Sequence, residues 1–121
     1  MKTSLPLKSI QKKGGASPVG SYRNHSLSVI HREGSGEAEL PETQGYIFIV
    51  QSGEGPRVLG GKMVDAKTTM PHEVRGPSIS DGASKQIGPG DIGHIAAQTP
   101  YQVIVPAGKQ VTYAIVKVNA E

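Results

Sequence analysis

The fold of this chain is decided by one stretch near its carboxyl end, residues 85–118, which reads KQIGPGDIGHIAAQTPYQVIVPAGKQVTYAIVKV. Short apolar runs at 92–95, 101–105 and 111–118 alternate with Pro and Gly turns. No run keeps the 3.6-residue period of an amphipathic helix. Short strands at nearly even spacing are typical of a β-sandwich or β-barrel, so the stretch predicts an all-β domain with very little helix.

The rest of the chain extends this pattern toward the amino terminus. Serine alternates with Leu27 and Val29, as in a strand with one buried face, and 37–40 forms another brief run. Residues 46–51, YIFIVQ, are apolar except at the end and predict a central strand buried on both faces. The Gly pair at 60–61 predicts a two-residue hairpin, and 66–84 lack periodicity, which predicts a long irregular loop over an open end of the sheet.

Composition narrows the classes of protein that fit. The chain has 121 residues, enough for one domain, and it contains no cysteine. That absence excludes disulfide scaffolds, thiolate zinc sites and cysteine nucleophiles. The net charge of +3 is small and scattered, so we expect no nucleic-acid partner. No apolar run approaches 18 residues and no signal-peptide pattern is visible, so we expect no membrane association and a cytoplasmic location.

The chain divides into two parts. Residues 1–20 combine a short apolar arm, Leu5, Leu7 and Ile10, with a Lys-Lys-Gly-Gly-Ala-Ser-Pro stretch that is typical of a flexible joint. Residues 21–121 then form the single β domain.

Two segments together resemble the paired signatures of the cupin superfamily, the small jelly-roll β-barrels. Residues 41–55, PETQGYIFIVQSGEG, resemble the first motif, in which H-x-H is followed by three or four residues, Glu, six residues and Gly. Residues 90–101, GDIGHIAAQTPY, resemble the second motif, G-D-x-x-x-I-P-x-G-x-x-H. The resemblance implies a cupin-type jelly-roll β-barrel and, as is common for small cupins, a homodimer.

The residues that would bind a metal in that family are different here. The resemblance implies a divalent metal on two histidines and a carboxylate of the first motif and one histidine of the second. The first-motif histidine positions fall near Glu39, Pro41 or Thr43, the carboxylate position falls on Tyr46, and the second-motif histidine falls on Tyr101. Phenols are poor metal ligands at neutral pH. We therefore expect a barrel with no metal and no cofactor.

Supporting positions of the motifs have changed as well. The family's I-P-x-G is Ile-Ala-Ala-Gln at 95–98, and Gly93 occupies a strand position where a β-branched residue is expected. Glu39 and Glu42 lie nearby, but two carboxylates without an imidazole are a weak metal site. The changes concentrate at the cavity while the frame persists. This fits an engineered scaffold with a rebuilt pocket, or a naturally degenerate relative.

A pocket is the leading functional hypothesis. The period of two places Tyr46, Phe48 and Val50 on one face of their strand, and Tyr101 and Val103 on one face of theirs. The resemblance implies that these faces point into the barrel. An apolar cavity with two phenols at its mouth suits a small organic ligand. Equally, the rings could simply fill the space of the absent metal.

Two histidines support the competing hypothesis of an enzyme, because imidazole titrates near neutral pH. If His94 points inward, it is the best general base in the cavity; if outward, it is an ordinary strand residue. His72, on the long loop, could cap the barrel mouth. The sequence has no G-x-S-x-G elbow of a serine hydrolase, and Lys117 is expected to be solvated. A metal-dependent enzyme is the third class.

Overall fold

The computed structural model describes residues 15–119, and within them every regular element is a β-strand. No helix long and apolar enough to cross a membrane occurs in this part of the chain. The strands are β1 (Gly15–Ser21), β2 (His25–Arg32), β3 (Ala38–Pro41), β4 (Gln44–Gly53), β5 (Gly55–Leu59), β6 (Lys62–Val64), β7 (Lys67–Met70), β8 (Glu73–Gly76), β9 (Ser78–Ser80), β10 (Ala83–Ile87), β11 (Ile92–Ile95), β12 (Tyr101–Val103) and β13 (Val111–Asn119).

The strands build two sheets that face each other. One sheet has the order β1-β2-β13-β4-β11 and the other β10-β5-β12-β3-β8-β7, while β6 and β9 form a separate pair. All of the pairings are antiparallel. The core lies between the sheets because both contribute inward side chains to one cluster, among them Phe48, Tyr113 and Val103. The all-β prediction and the strands at 92–95, 101–105 and 111–118 are confirmed within a few residues.

Strand β4 differs from its prediction on one face. Tyr46, Phe48 and Val50 are buried, but Ile47 and Ile49 are 36% and 39% exposed. The strand therefore alternates as a half-buried strand does, and the expectation of burial on both faces was wrong. The outer face of its sheet is apolar: Ile92 on β11 lies opposite Ile49 and is 72% exposed.

The predicted hairpin at 60–61 does not form. Both glycines have the positive φ that suggested it, 81° and 75°, but β5 pairs with β10 and β12, and β6 pairs with β9. The turn instead carries the chain out of the large sheet. The Gly60 N–H donates to the Pro100 carbonyl at 2.8 Å, and a Cβ on Gly61 would lie 2.3 Å from the Ser80 carbonyl oxygen. The two glycines are therefore required by these tertiary contacts and not by a hairpin.

The stretch 66–84 is also more regular than expected, because it contains β7, β8, β9 and the start of β10. These strands hold their places by backbone pairing: β8 pairs with both β3 and β7. All four residues of β7 are exposed. A strand that buries no side chain leaves no alternating apolar pattern in the sequence.

Residues 15–20 belong to β1, which pairs with β2 along its length. The part of the predicted joint that the structure describes is therefore strand. Leu5, Leu7 and Ile10 of the predicted arm lie outside the described residues.

Gly93 has a packing role that the sequence did not show. It lies directly opposite Phe48 in the β11–β4 ladder, and a Cβ at this position would be 2.1 Å from the Phe48 ring. The Phe48 ring occupies the space in which a side chain at position 93 would lie. Glycine in a strand interior commonly marks such a close approach.

Candidate functional site

A buried carboxylate, Glu39 on β3, is the centre of the polar interior. Its residue is 6% exposed. The Tyr46 hydroxyl donates to Oε1 at 3.0 Å, and the Tyr101 hydroxyl donates to Oε2 at 3.0 Å. The Arg75 Nη2 atom lies 4.0 Å from Oε2. Each carboxylate oxygen thus has a hydrogen-bond donor, as a buried charge requires.

Strand register brings these groups together. Glu39 is paired with Tyr101 across the β3–β12 ladder and with Arg75 across the β3–β8 ladder, and directly paired residues share a face of the sheet. Tyr46 reaches Glu39 from β4 in the opposite sheet. The Tyr46 and Tyr101 rings meet edge to face, with centroids 5.6 Å apart. The cluster therefore links the two sheets.

Both phenols keep their protons at neutral pH. Burial raises the pKa of Tyr46 and of Tyr101 far above the ordinary value, and the negative charge of Glu39 raises both further. A neutral phenol is a hydrogen-bond donor, and these two protons are directed at the carboxylate. The three side chains form a closed donor–acceptor set, which we call the phenol clamp: Glu39, Tyr46 and Tyr101.

The phenol clamp occupies the positions where the resemblance implies metal ligands, and its chemistry does not suit a divalent ion. Two of its three members are neutral phenols whose protons bind the only carboxylate. Within residues 15–119 no cluster of three or more His, Asp or Glu side chains could hold a metal. A cation would have to displace two hydrogen bonds and would gain one carboxylate, without an imidazole. The residues present do not fit the family's metal.

A pocket of about 190 Å³ lies beside the clamp, between the sheets. Its lining includes four charged side chains, so the expectation of an apolar cavity was wrong. The apolar prediction rested on the runs at 46–51 and 101–105, whereas the charged side chains come from β2, β3, β8 and β13. The lining residues are Gly15, Ala16, Ile30, Arg32, Glu39, Arg75, Tyr101, Tyr113, Ile115 and Lys117.

Two of these cations have aromatic neighbours. The Arg32 Nε–H donates to the Tyr113 hydroxyl oxygen at 3.1 Å. The Lys117 Nζ atom lies over the Tyr46 ring, 4.8 Å from its centroid, as a cation–π contact. Lys117 is half-buried and faces the interior because it is paired with Tyr46 across the β13–β4 ladder. The expectation that Lys117 is solvated was wrong.

The predicted pocket residues divide between the pocket and the core. Tyr101 lines the pocket. Tyr46 and the buried Pro41 line a neighbouring recess of about 270 Å³. Phe48, Val50 and Val103 pack in the hydrophobic core.

The structure separates the two predicted catalytic histidines from the pocket. His94 is paired with Ile47 on the outer face of its sheet and is exposed, so the inward alternative was wrong. His72 is exposed in the β7–β8 turn, with a φ of 64°, and lines the neighbouring recess together with Glu42 and Glu73.

The sequence missed most of the residues that line this pocket, among them Arg32, Arg75 and Tyr113. The period of two could have found Tyr113, because it shares an inward face of β13 with Ile115. Arg32 is the last residue of β2, and Arg75 lies within the four-residue strand β8. Nothing in their local sequence distinguishes them from solvated charges.

Comparison with known proteins supports the fold and leaves the activity open. No protein-family model and no curated protein matches the sequence. Among solved structures, an uncharacterized conserved protein with a double-stranded β-helix domain from Klebsiella pneumoniae subsp. pneumoniae MGH 78578 is similar with a TM-score of 0.70 and 12% identity, covering 100% of this chain and 93% of that one. The polyketide cyclase RemF from Streptomyces resistomycificus gives 0.66 and 15%, covering 98% and 80%.

A third similar structure is a mannose-6-phosphate isomerase candidate from Ralstonia eutropha JMP134, with a TM-score of 0.61 and 15% identity, covering 90% of this chain and 87% of that one. At such identities the similarity establishes the fold alone. The chain has the double-stranded β-helix, or cupin-type jelly-roll, fold.

Proposed function

We propose that this protein binds a small organic molecule, without a metal, in the pocket beside the phenol clamp. The observation that carries the proposal is the pocket itself. About 190 Å³ of space lies between the sheets, with hydrogen-bonding side chains from several strands and apolar walls at Ile30 and Ile115. A cavity of about 150 Å³ holds a benzene ring, so a ligand of roughly that size with one or two polar groups fits.

The composition of the clamp supports binding without a metal. Both phenol hydroxyls donate to the Glu39 carboxylate, so the clamp has its hydrogen bonds satisfied without a metal ion. It holds one wall of the pocket rigid, and a preorganised wall lowers the entropy cost of binding.

A thermal-shift screen of small organic molecules, with and without a chelator, tests the proposal. A ligand present at about 100 times its Kd adds about 2.7 kcal/mol to the free energy of unfolding, which raises the melting temperature of a domain this size by roughly 10 °C. We expect such shifts from organic compounds in the presence of the chelator. Elemental analysis showing a stoichiometric divalent metal in the purified protein would contradict the proposal.

A matched pair of variants locates the binding. Ala16→Phe adds a ring at a position that lines the pocket, whereas Ala83→Phe adds the same ring on β10, which does not line it. Both alanines are exposed, so both variants should fold. We expect Ala16→Phe to abolish the ligand-induced shift and Ala83→Phe to preserve it. Equal shifts in the two variants would place binding elsewhere.

The second candidate is an acid–base catalyst in the neighbouring recess. The observation that favours it is the meeting of His72, Glu42 and Glu73 in one recess of about 270 Å³. A histidine-dependent rate should be lost in His72→Ala and retained in His94→Ala, because His94 lies exposed on the outer sheet face. A rate that survives His72→Ala excludes this candidate.

A further inference from the structure

The charges that line the pocket are not balanced. Arg75 is neutralised by Glu73, whose Oε1 lies 2.6 Å from Arg75 Nε. The two phenols satisfy the hydrogen bonds of Glu39 without cancelling its charge, so Glu39 offsets one of the two remaining cations, Arg32 and Lys117. Within residues 15–119, neither Arg32 nor Lys117 forms an ion pair with a carboxylate. Their described partners are the neutral Tyr113 hydroxyl and the face of the Tyr46 ring.

Arg32 and Tyr113 together present unused donors. The hydrogen bond that Arg32 forms with the described residues uses its Nε–H. The Nη protons of the planar guanidinium remain available, and their geometry suits the oxygens of a carboxylate or phosphate. Tyr113 accepts this bond, so its own hydroxyl proton is available. Burial raises the pKa of Tyr113 although the Arg32 charge opposes the rise, and the phenol is therefore a donor at neutral pH. Both groups line the pocket.

We infer that the ligand carries an oxyanion group, a carboxylate or a phosphate, which binds to the Arg32 guanidinium and the Tyr113 hydroxyl. This inference rests on the proposed function of the pocket and names its ligand class. The apolar part of the ligand lies against Ile30 and Ile115, which line the same pocket. Lys117 adds positive potential, and charge interactions are strong in a partly enclosed site of low dielectric. A neutral ligand would leave two half-buried cations, Arg32 and Lys117, with Glu39 as the one anion among the described lining residues.

Calorimetric titration with three matched probes tests this inference. Benzoate and phenyl phosphate carry the two possible oxyanions, and benzamide is the neutral counterpart of benzoate. We expect at least one of the two anions to bind tenfold or more tightly than benzamide, and the stronger anion identifies the group. Equal affinities for benzoate, phenyl phosphate and benzamide refute the inference and leave the proposed function intact.

Variants identify the residues that hold the anion. Arg32→Gln should weaken the preferred anion at least tenfold and benzamide by much less, so that the preference for the anion is lost, whereas Arg23→Gln, at an exposed turn position, should change neither affinity. Tyr113→Phe should weaken the anion several-fold with Arg32 in place, which keeps the test available if Arg32→Gln does not fold. An anion preference that survives both pocket variants overturns the inference.

The failures of the two proposals can be told apart. If the thermal-shift screen finds a ligand sensitive to Ala16→Phe but that ligand is neutral and all three probes fail, the oxyanion inference is wrong and the binding function stands. If the screen finds no ligand and the probes also fail, both are wrong.

Discussion

Removing the hydroxyls of the phenol clamp should reveal how strongly the buried charge depends on them. Tyr101→Phe deletes a 3.0 Å hydrogen bond to the Glu39 carboxylate, and Tyr46→Phe deletes the other. A hydrogen bond to a charged group contributes about 1.5–3 kcal/mol. We expect each single variant to lose that much free energy of unfolding, measured by urea denaturation at neutral pH.

The double variant should lose more than the sum of the two singles. Glu39, 6% exposed, would keep only Arg75 at 4.0 Å, and groups in one network typically show coupling of about 0.5–3 kcal/mol. Adding Glu39→Leu to the double variant should recover much of the loss, because no buried charge remains. Ser84→Ala, which removes an exposed hydroxyl on β10, is the control and should change stability by less than about 0.5 kcal/mol. Strictly additive losses, or no recovery with Leu, would refute the reasoning.

Three further results are expected. Tyr46, Tyr101 and Tyr113 have raised pKa values in the folded protein, so they keep protons that the unfolded chain releases above about pH 10. With respect to these groups, the free energy of unfolding should be constant below that pH and fall above it by up to about 4 kcal/mol per pH unit. A flat alkaline profile would contradict this. Gly93→Ala should cost about 1–3 kcal/mol in urea denaturation because the Phe48 ring occupies the Cβ position; a near-neutral effect would show that the ring moves easily. The chain should be a homodimer through the apolar outer face, so Ile49→Lys or Ile92→Lys should give a monomer by light scattering, and a monomeric wild type would exclude this interface.

The sequence predicted those strands that carry apolar residues in short runs between turns. Strands β4, β11 and β13 each bury inward residues, and all three were found with small boundary errors. Strand β7 buries none of its four residues, and it was read as loop. The Gly60–Gly61 pair was misread for a related reason: positive φ is a local property, whereas the pairing partner of β6 is set by distant contacts.

The candidate site was predicted in part. Tyr46 and Tyr101 were found through motif spacing, and the structure brings them together on Glu39. Arg32 and Arg75 were missed because their role depends on which strand lies opposite. Arg75 faces Glu39 only through the β3–β8 ladder, and β8 lies in the stretch where the sequence predicted no strand. Pairing over long sequence separations is the information that one sequence does not display.

The phenol clamp also has a mechanical consequence. Tyr46 belongs to one sheet and Glu39 to the other, so the Tyr46 hydroxyl–Glu39 hydrogen bond braces the two sheets against each other, whereas the Tyr101–Glu39 bond lies within one sheet. Spreading the layers to admit a bulkier guest would strain a bond to a buried anion. This hydrogen bond therefore limits the size of the ligand that can enter. Removing the one hydroxyl oxygen should widen the range of molecules that bind and should also make the protein easier to unfold.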